Sequence, residues 1–202
     1  MSIRNDSPEL SSRESDTTNI TDRVLDAARS CMLRAEGGKI ALAEVARVAG
    51  VSRPTVYRRW PDVQSLTGEL LNREMAEVLA SVPERGSTLE EQVDRFVDVA
   101  QGLQENALFA VLWREPATAL AQYVSVRLGT SQQMLLAMIE WAIGEGQERG
   151  DIRPGRPDQL AAMVLLISQS AIQSHALVAP ILGDRWTTEL RYALMSYLRI
   201  QS

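Results

Sequence analysis

Apolar residues recur along this chain with the period of a helix. Ile20, Val24, Ala27, Ala28 and Cys31 follow i, i+4, i+7, i+8, i+11, the stripe of an amphipathic helix. Asn19 or Thr21 can cap it, and Gly37-Gly38 end it. Leu42, Val45, Ala46 and Ala49 then mark a short second helix, with Gly50 where a left-handed C-cap is needed. Ser52 can cap a third, with Pro54 tolerated in its first turn, and Trp60-Pro61 close it. Further helices are predicted at about 63–82, 88–104, 106–116, 118–149, 157–178 and 185–200. The breaks fall at Pro83 to Gly86, at Pro116, between Gly150 and Pro157, and from Pro180 to Asp184. No stretch alternates with period two for long enough to make a sheet. Residues 1–19 are polar and nearly free of large apolar side chains, and read as a disordered arm.

A longer helix followed by two short ones across a glycine turn is a helix-turn-helix pattern. The fold class read from this is all-α: an N-terminal three-helix unit at residues 20–66 and a larger helical part at 67–202. An apolar share of 45% supports a packed core. The longest clearly apolar run, Leu160 to Ile167, is too short to span a bilayer, which takes about 20 residues. With no apolar run near the N-terminus and one cysteine, Cys31, the chain reads as a soluble protein of a reducing cytoplasm.

Net charge is −5, so a nucleic-acid partner would have to meet a local patch. One exists: residues 45–61 hold Arg47, Arg53, Arg58 and Arg59 and no acid. On a helix from Arg53 to Trp60, Val56 and Trp60 share an inward face. Arg53 stands at the tip, where a guanidinium can donate twice to guanine O6 and N7. Pro54 offers an edge for a thymine methyl, and Thr55, Tyr57, Arg58 and Arg59 suit phosphate oxygens. Helix N-termini near residues 42 and 63 can add backbone amides to phosphates.

The chain offers little to catalysis. It has one histidine, His175, and one cysteine, with no metal-ligand cluster and no Gly-rich phosphate loop. Cys31 reads as packing and His175 as a structural or interface residue. No enzyme activity, cofactor or metal is expected.

At "LAEVARVAGVSRPTVYRRWPDVQSL" the sequence resembles the TetR family of bacterial transcriptional regulators. The matching positions are Val45-Ala46, Ala49 to Ser52, Thr55 to Tyr57, Trp60 and Leu66, with Ala27-Ala28 in the first helix. The motif covers about residues 20–70. Beyond it the match is looser, resting on length, helical character and "ERGDIRP" followed by "PDQLA". The resemblance implies that Ser52, Arg53, Pro54, Thr55, Tyr57, Arg58 and Arg59 meet double-stranded DNA. Two positions depart from it: Ala41 stands where Thr or Ser often caps the second helix, and Val63 where Lys often opens the fourth. Lys39 is the candidate to reach the phosphate that the methyl group of Ala41 cannot bind.

The resemblance further implies a homodimer joined through the last two helices, with Met163, Ile167, Ser170, Ser174, Leu194 and Leu198 as interface candidates. It also implies a small-molecule effector site in the larger domain. Phe109, Trp113, Met134, Met138 and Trp141, with Arg114, Gln169 and Gln173 as polar contacts, are its candidates, and they favour an apolar or aromatic ligand. Met and aromatic residues at this spacing also suit a plain core. The function so implied is a repressor released from a palindromic operator by that ligand. The alternatives are an activator or effector-independent regulator, and a helical ligand-binding or adaptor protein without DNA binding.

Overall fold

The computed structural model describes the backbone of residues 8–114 and 130–200, and side chains from Asn19 to Trp113 and from Gln132 to Ile200. The elements are α1 (Pro8–Arg34), α2 (Leu42–Ala49), α3 (Arg53–Arg59), α4 (Val63–Ser81), α5 (Leu89–Glu105), α6 (Ala107–Arg114), α7 (Thr130–Arg149), α8 (Pro157–Gln173), α9 (His175–Leu182), a 3-10 turn (Gly183–Arg185) and α10 (Trp186–Leu198). Among the described residues there is no strand, only one bridge between Ile152 and Arg199.

The first helix begins earlier than the apolar stripe indicates. It starts at Pro8, so residues 8–19 of the expected disordered arm are helical. Proline is tolerated at a helix start, and no glycine or second proline follows before Gly37. Residues 1–7 lie outside the described residues, as do 115–129, which take in the end of the predicted 106–116 helix and the start of the 118–149 helix.

Toward the C-terminus a predicted helix at 157–178 divides at Ser174, where φ is −91° and ψ 0°. The chain past it runs 75° off the axis of α8. Pro180 itself lies inside α9 and forgoes one backbone bond there, and the break expected from Pro180 to Asp184 falls at Gly183, where α9 ends and the 3-10 turn begins.

One apolar core runs through the molecule. Val24, Ala28, Val45, Val56 and Trp60 pack with Leu66 and Leu70 of α4, and the same cluster continues into Val93, Leu108, Ile143, Val164 and Leu194. The expected boundary at 66/67 therefore falls inside a helix. Alpha-4 packs on α1 of the small unit and on α5 and α7 of the large one. Two carboxylates from its middle turns tie it to its neighbours. Glu69 accepts from Arg59 Nη2 at 2.8 Å and from Trp60 Nε1 at 2.7 Å. Glu74, 1% exposed, accepts from Arg29 Nε and Asn106 Nδ2, both at 2.8 Å. Among the described residues no single helix is long and apolar enough to cross a membrane.

Candidate nucleic-acid interface and cavity

The short helix α3 holds its place through local chemistry. Gly50 takes φ 63° and ψ 35°, a left-handed conformation strained for any residue with a Cβ. Val51 N then donates back to Ala46 O at 3.0 Å. From α1, Arg23 Nη2 donates to Ala49 O at 2.6 Å and to Gly50 O at 3.2 Å, clamping the turn. Ser52 caps α3: its Oγ accepts from Thr55 N at 3.3 Å and pairs with Thr55 Oγ1 at 2.7 Å. Val56 and Trp60 are buried, as their shared face predicts.

That packing turns Arg53, Pro54, Tyr57, Arg58 and Arg59 outward, and Lys39 is exposed in the connection before α2. Among the described residues, Arg53, Arg58 and Lys39 make no side-chain ion pair or hydrogen bond, so their charge is available to a partner. Arg59 differs. It is held by Glu69 and its guanidinium stands 5.2 Å from the Trp60 ring centre. The window without acids along the sequence is thus closed in space by Glu69. Ser52 and the half-buried Thr55 spend hydroxyl capacity on the cap, which orders the helix tip.

The neighbouring helix starts are unequal. Ala41 opens α2 with no side-chain cap, as its methyl group dictates. At α4, Asp62 Oδ1 accepts from Ser65 N at 2.7 Å and Ser65 Oγ donates to Asp62 O at 2.8 Å. The Ser65 backbone amide, with its hydroxyl second, holds the Asp62 carboxyl below the usual carboxylate range. The Ser65 amide at the start of α4 is therefore spent on a resident anion, whose charge disfavours a phosphate there. Val63 is half-buried against the core and takes no outward role.

A cavity of about 1240 Å³ lies among α4, α5, α6, α7 and α8. Phe109, Trp113, Met134, Met138, Trp141, Gln169 and Gln173 all line it. Phe109 and Trp113 stack with centres 5.4 Å apart, and Gln132 donates to Gln169 at 3.5 Å. The side chain of Arg114 lies outside the described residues. Sequence reasoning missed the walls supplied by α4 and α5, among them Glu69, Asn72, Met75, Arg95 and Phe96. A signal was present in Gln92, Phe96, Val99 and Leu103, which fall on one helical stripe.

The surface of the C-terminal helices corrects two expectations. Leu194 and Leu198 are 0% and 1% exposed, so both belong to the subunit's own core instead of an interface. The register of α10 turns them toward α5 and α8. Met163 and Ser170 are exposed, and Ile167 and Ser174 half-buried. The strongly exposed apolar residues here are Leu166, Leu177, Ile181 and Tyr192, with Leu177 and Ile181 at 80% and 84%. The break at Ser174 re-aims the chain that carries Leu177 and Ile181.

His175 Nδ1 lies 3.0 Å from Gln104 Nε2, and its ring meets Trp186 edge-on at 5.1 Å, a packing role. Cys31 is buried, and burial pushes its thiol pKa up, the opposite of an activated thiolate. No group of His, Cys, Asp and Glu that could hold a metal occurs among the described residues.

No family model matches the chain. An HTH-type transcriptional regulator of Mycobacterium tuberculosis is 42% identical over 189 residues, 93% of this chain and 98% of that protein. Among solved structures, the SmeT–triclosan complex superposes with a TM-score of 0.65 at 18% identity, covering 91% of this chain and 93% of that one. A TetR transcription regulator from Haloarcula marismortui gives 0.63 at 16% identity, covering 90% and 100%.

Proposed function

The chain belongs to the TetR family of helix-turn-helix transcriptional regulators, and from that premise we propose that it is a dimeric repressor released from a palindromic operator by a small, largely apolar ligand. The observation that carries this reading is the pairing of two features on one helix. Alpha-4 seats the recognition helix through Glu69 and also walls the cavity. A regulator of this kind is not an enzyme.

In this reading Arg53 and Pro54 meet base edges, and Tyr57, Arg58 and Lys39 meet phosphates, with the uncapped start of α2 adding backbone amides. If each subunit contacts about four phosphates, the log–log salt slope is roughly −7, and affinity falls on the order of 10⁴-fold from 50 to 200 mM salt. The second subunit docks on the exposed face that holds Met163, Leu166, Leu177, Ile181 and Tyr192. An uncovered apolar surface of this kind marks an interaction site. Half-sites then repeat at about one turn of DNA, ~34 Å, or a multiple of it. The effector occupies the cavity, where Phe109 and Trp113 offer a stacking surface and Gln169 and Gln173 offer polar contacts. The complex of SmeT with triclosan supports a small molecule as the occupant of this fold. The site of action is the cytoplasm.

The test is selection of bound duplexes from a random library by the purified protein. A recovered palindrome, lost with Leu177→Asp as sedimentation shows monomers, supports the dimeric reader. Enrichment of an asymmetric site, or of nothing by a folded dimer, overturns it. The position of the recovered site relative to promoters separates repressor from activator.

A further inference from the structure

Glu69 belongs to two sites at once. Its Oε1 accepts from Arg59 Nη2 at 2.8 Å and its Oε2 from Trp60 Nε1 at 2.7 Å, so it fastens the C-terminal end of the recognition helix to α4. The same residue lines the cavity, beside Ser65, Gly68 and Asn72 of the same helix. The two contacts are not equivalent. The Arg59–Glu69 pair is exposed, with side chains at 45% and 37%, and a released guanidinium rehydrates. Trp60 is 2% exposed, and among the described residues its indole N–H has only the Glu69 carboxylate as a partner. A phenylalanine in this position would keep an aromatic ring in the core, leave a small void where the rest of the indole stood, and need no acceptor.

The geometry points to Glu69 as the residue through which the cavity is read by the recognition helix, its effector being an apolar molecule that carries a hydrogen-bond donor, a hydroxyl, amide N–H or amine, at the α4 end. This rests on the reading that the cavity takes an effector. A flexible carboxylate occupies one rotamer at a time. Turned toward a donor in the cavity, it leaves the Trp60 N–H buried without an acceptor. Such a group is strongly disfavoured, so the end of α3 must shift until the N–H is solvated. Arg53, Pro54, Tyr57 and Arg58 move with it. A ligand of the same shape without the donor fills the cavity and leaves Glu69 on Trp60. The coupling therefore depends on one hydrogen atom of the ligand and one of Trp60.

Two probes isolate the first: 2-naphthol, and 2-methoxynaphthalene, which has the same ring system and no donor. Trp60→Phe isolates the second, because it keeps the aromatic filler and removes the N–H. Binding to the cavity is read by quenching of the Trp113 and Trp141 fluorescence, and binding to the selected operator by anisotropy. In the wild-type protein both probes quench, while 2-naphthol alone weakens DNA binding, by about ten-fold, within the usual range of allosteric coupling. In Trp60→Phe both probes still quench, DNA still binds, and neither probe changes its affinity by more than about two-fold. Equal weakening by the two probes, or a 2-naphthol response in Trp60→Phe equal to that of the wild type, overturns the role of Glu69 while the effector cavity stands. No quenching by either probe overturns the cavity reading and this inference with it. A Trp60→Phe protein that fails to bind DNA is resolved by Glu69→Gln, whose amide oxygen still accepts from Trp60. That variant must bind DNA and, because a neutral amide oxygen draws the naphthol O–H less strongly than a carboxylate does, respond to 2-naphthol by less than half the wild-type factor, and a full response counts against the inference.

Discussion

Replacing Glu74 tests whether α1, α4 and α6 are held together by polar bonds or by packing alone. One carboxylate accepts from Arg29 of α1 and from Asn106, and Asn106 Oδ1 in turn accepts from Leu108 N at 3.0 Å and Phe109 N at 3.3 Å at the start of α6. Removing one partner of a fully buried pair costs about 3–5 kcal/mol. Here Arg29 keeps 38% of its side chain exposed, so in Glu74→Ala the guanidinium rehydrates and that part shrinks to about 1 kcal/mol. The part-buried Asn106 amide is left without its acceptor, which adds about 1–2 kcal/mol. The void where the 1%-exposed side chain stood adds a further ~1–2 kcal/mol. Together these make about 3–5 kcal/mol, or a fall in Tm of roughly 10 °C for a chain of this size. Glu74→Gln is milder, at about 1–3 kcal/mol, because one of its two contacts becomes donor against donor. Asn106 cannot resolve that clash by flipping without giving up the cap on α6. Urea unfolding gives the stability, and hydrogen exchange at Leu108 and Phe109 reports the cap. Stability of Glu74→Ala within about 1 kcal/mol of wild type, or unchanged exchange at those two amides, would refute the argument.

Three further outcomes follow from the recognition unit. Arg53→Ala lowers affinity for the selected site by about 1–3 kcal/mol and relaxes preference at one base pair per half-site, whereas Arg58→Ala weakens all duplexes alike and lowers the salt slope by about 1 per subunit; competition binding with random DNA separates the two. Ala41→Ser supplies the missing cap of α2 and raises stability by about 0.5–1 kcal/mol in urea unfolding, provided that the hydroxyl reaches the amide of Glu44. Asp62 has a lowered carboxyl pKa, so its contribution is fully present above the unfolded value of about 3.9 and fades as pH falls through the folded value. Asp62→Asn removes that acid-side dependence, and an unfolding titration between about pH 5 and pH 2 in both proteins detects the difference.

What the sequence made legible was whatever is written in local order. Gly50, Ser52 and Pro54 punctuate α2 and α3 through their own backbone chemistry, so the reading head was placed to the residue. Val56 and Trp60, four apart, had to face inward together. Leu194 and Leu198 were misplaced because an apolar residue on a C-terminal helix fits a subunit core and a subunit interface equally well, and only the rotation of α10 about its axis decides between them. Breaks divided in the same way: the one expected from Pro180 to Asp184 falls at Gly183, whereas the one at Ser174, where no proline or glycine stands, has no local signal.

Arg59 shows the limit most sharply. Counted along the chain, it sits in a stretch of four arginines without an acid, and every local rule assigns it to phosphate. Folding α4 back beside α3 brings Glu69, ten positions on, within 2.8 Å of it. The partner lies too far along the sequence for a local pattern, and its identity depends on the angle between two helices. The same approach that removes Arg59 from the free charge of the patch gives the Trp60 N–H its acceptor. A charge that looked like free surface for DNA is thereby ion-paired to α4, the helix that also walls the cavity. Arg53, Arg58 and Lys39, which stay unpaired among the described residues, are cations whose surroundings the local sequence already described.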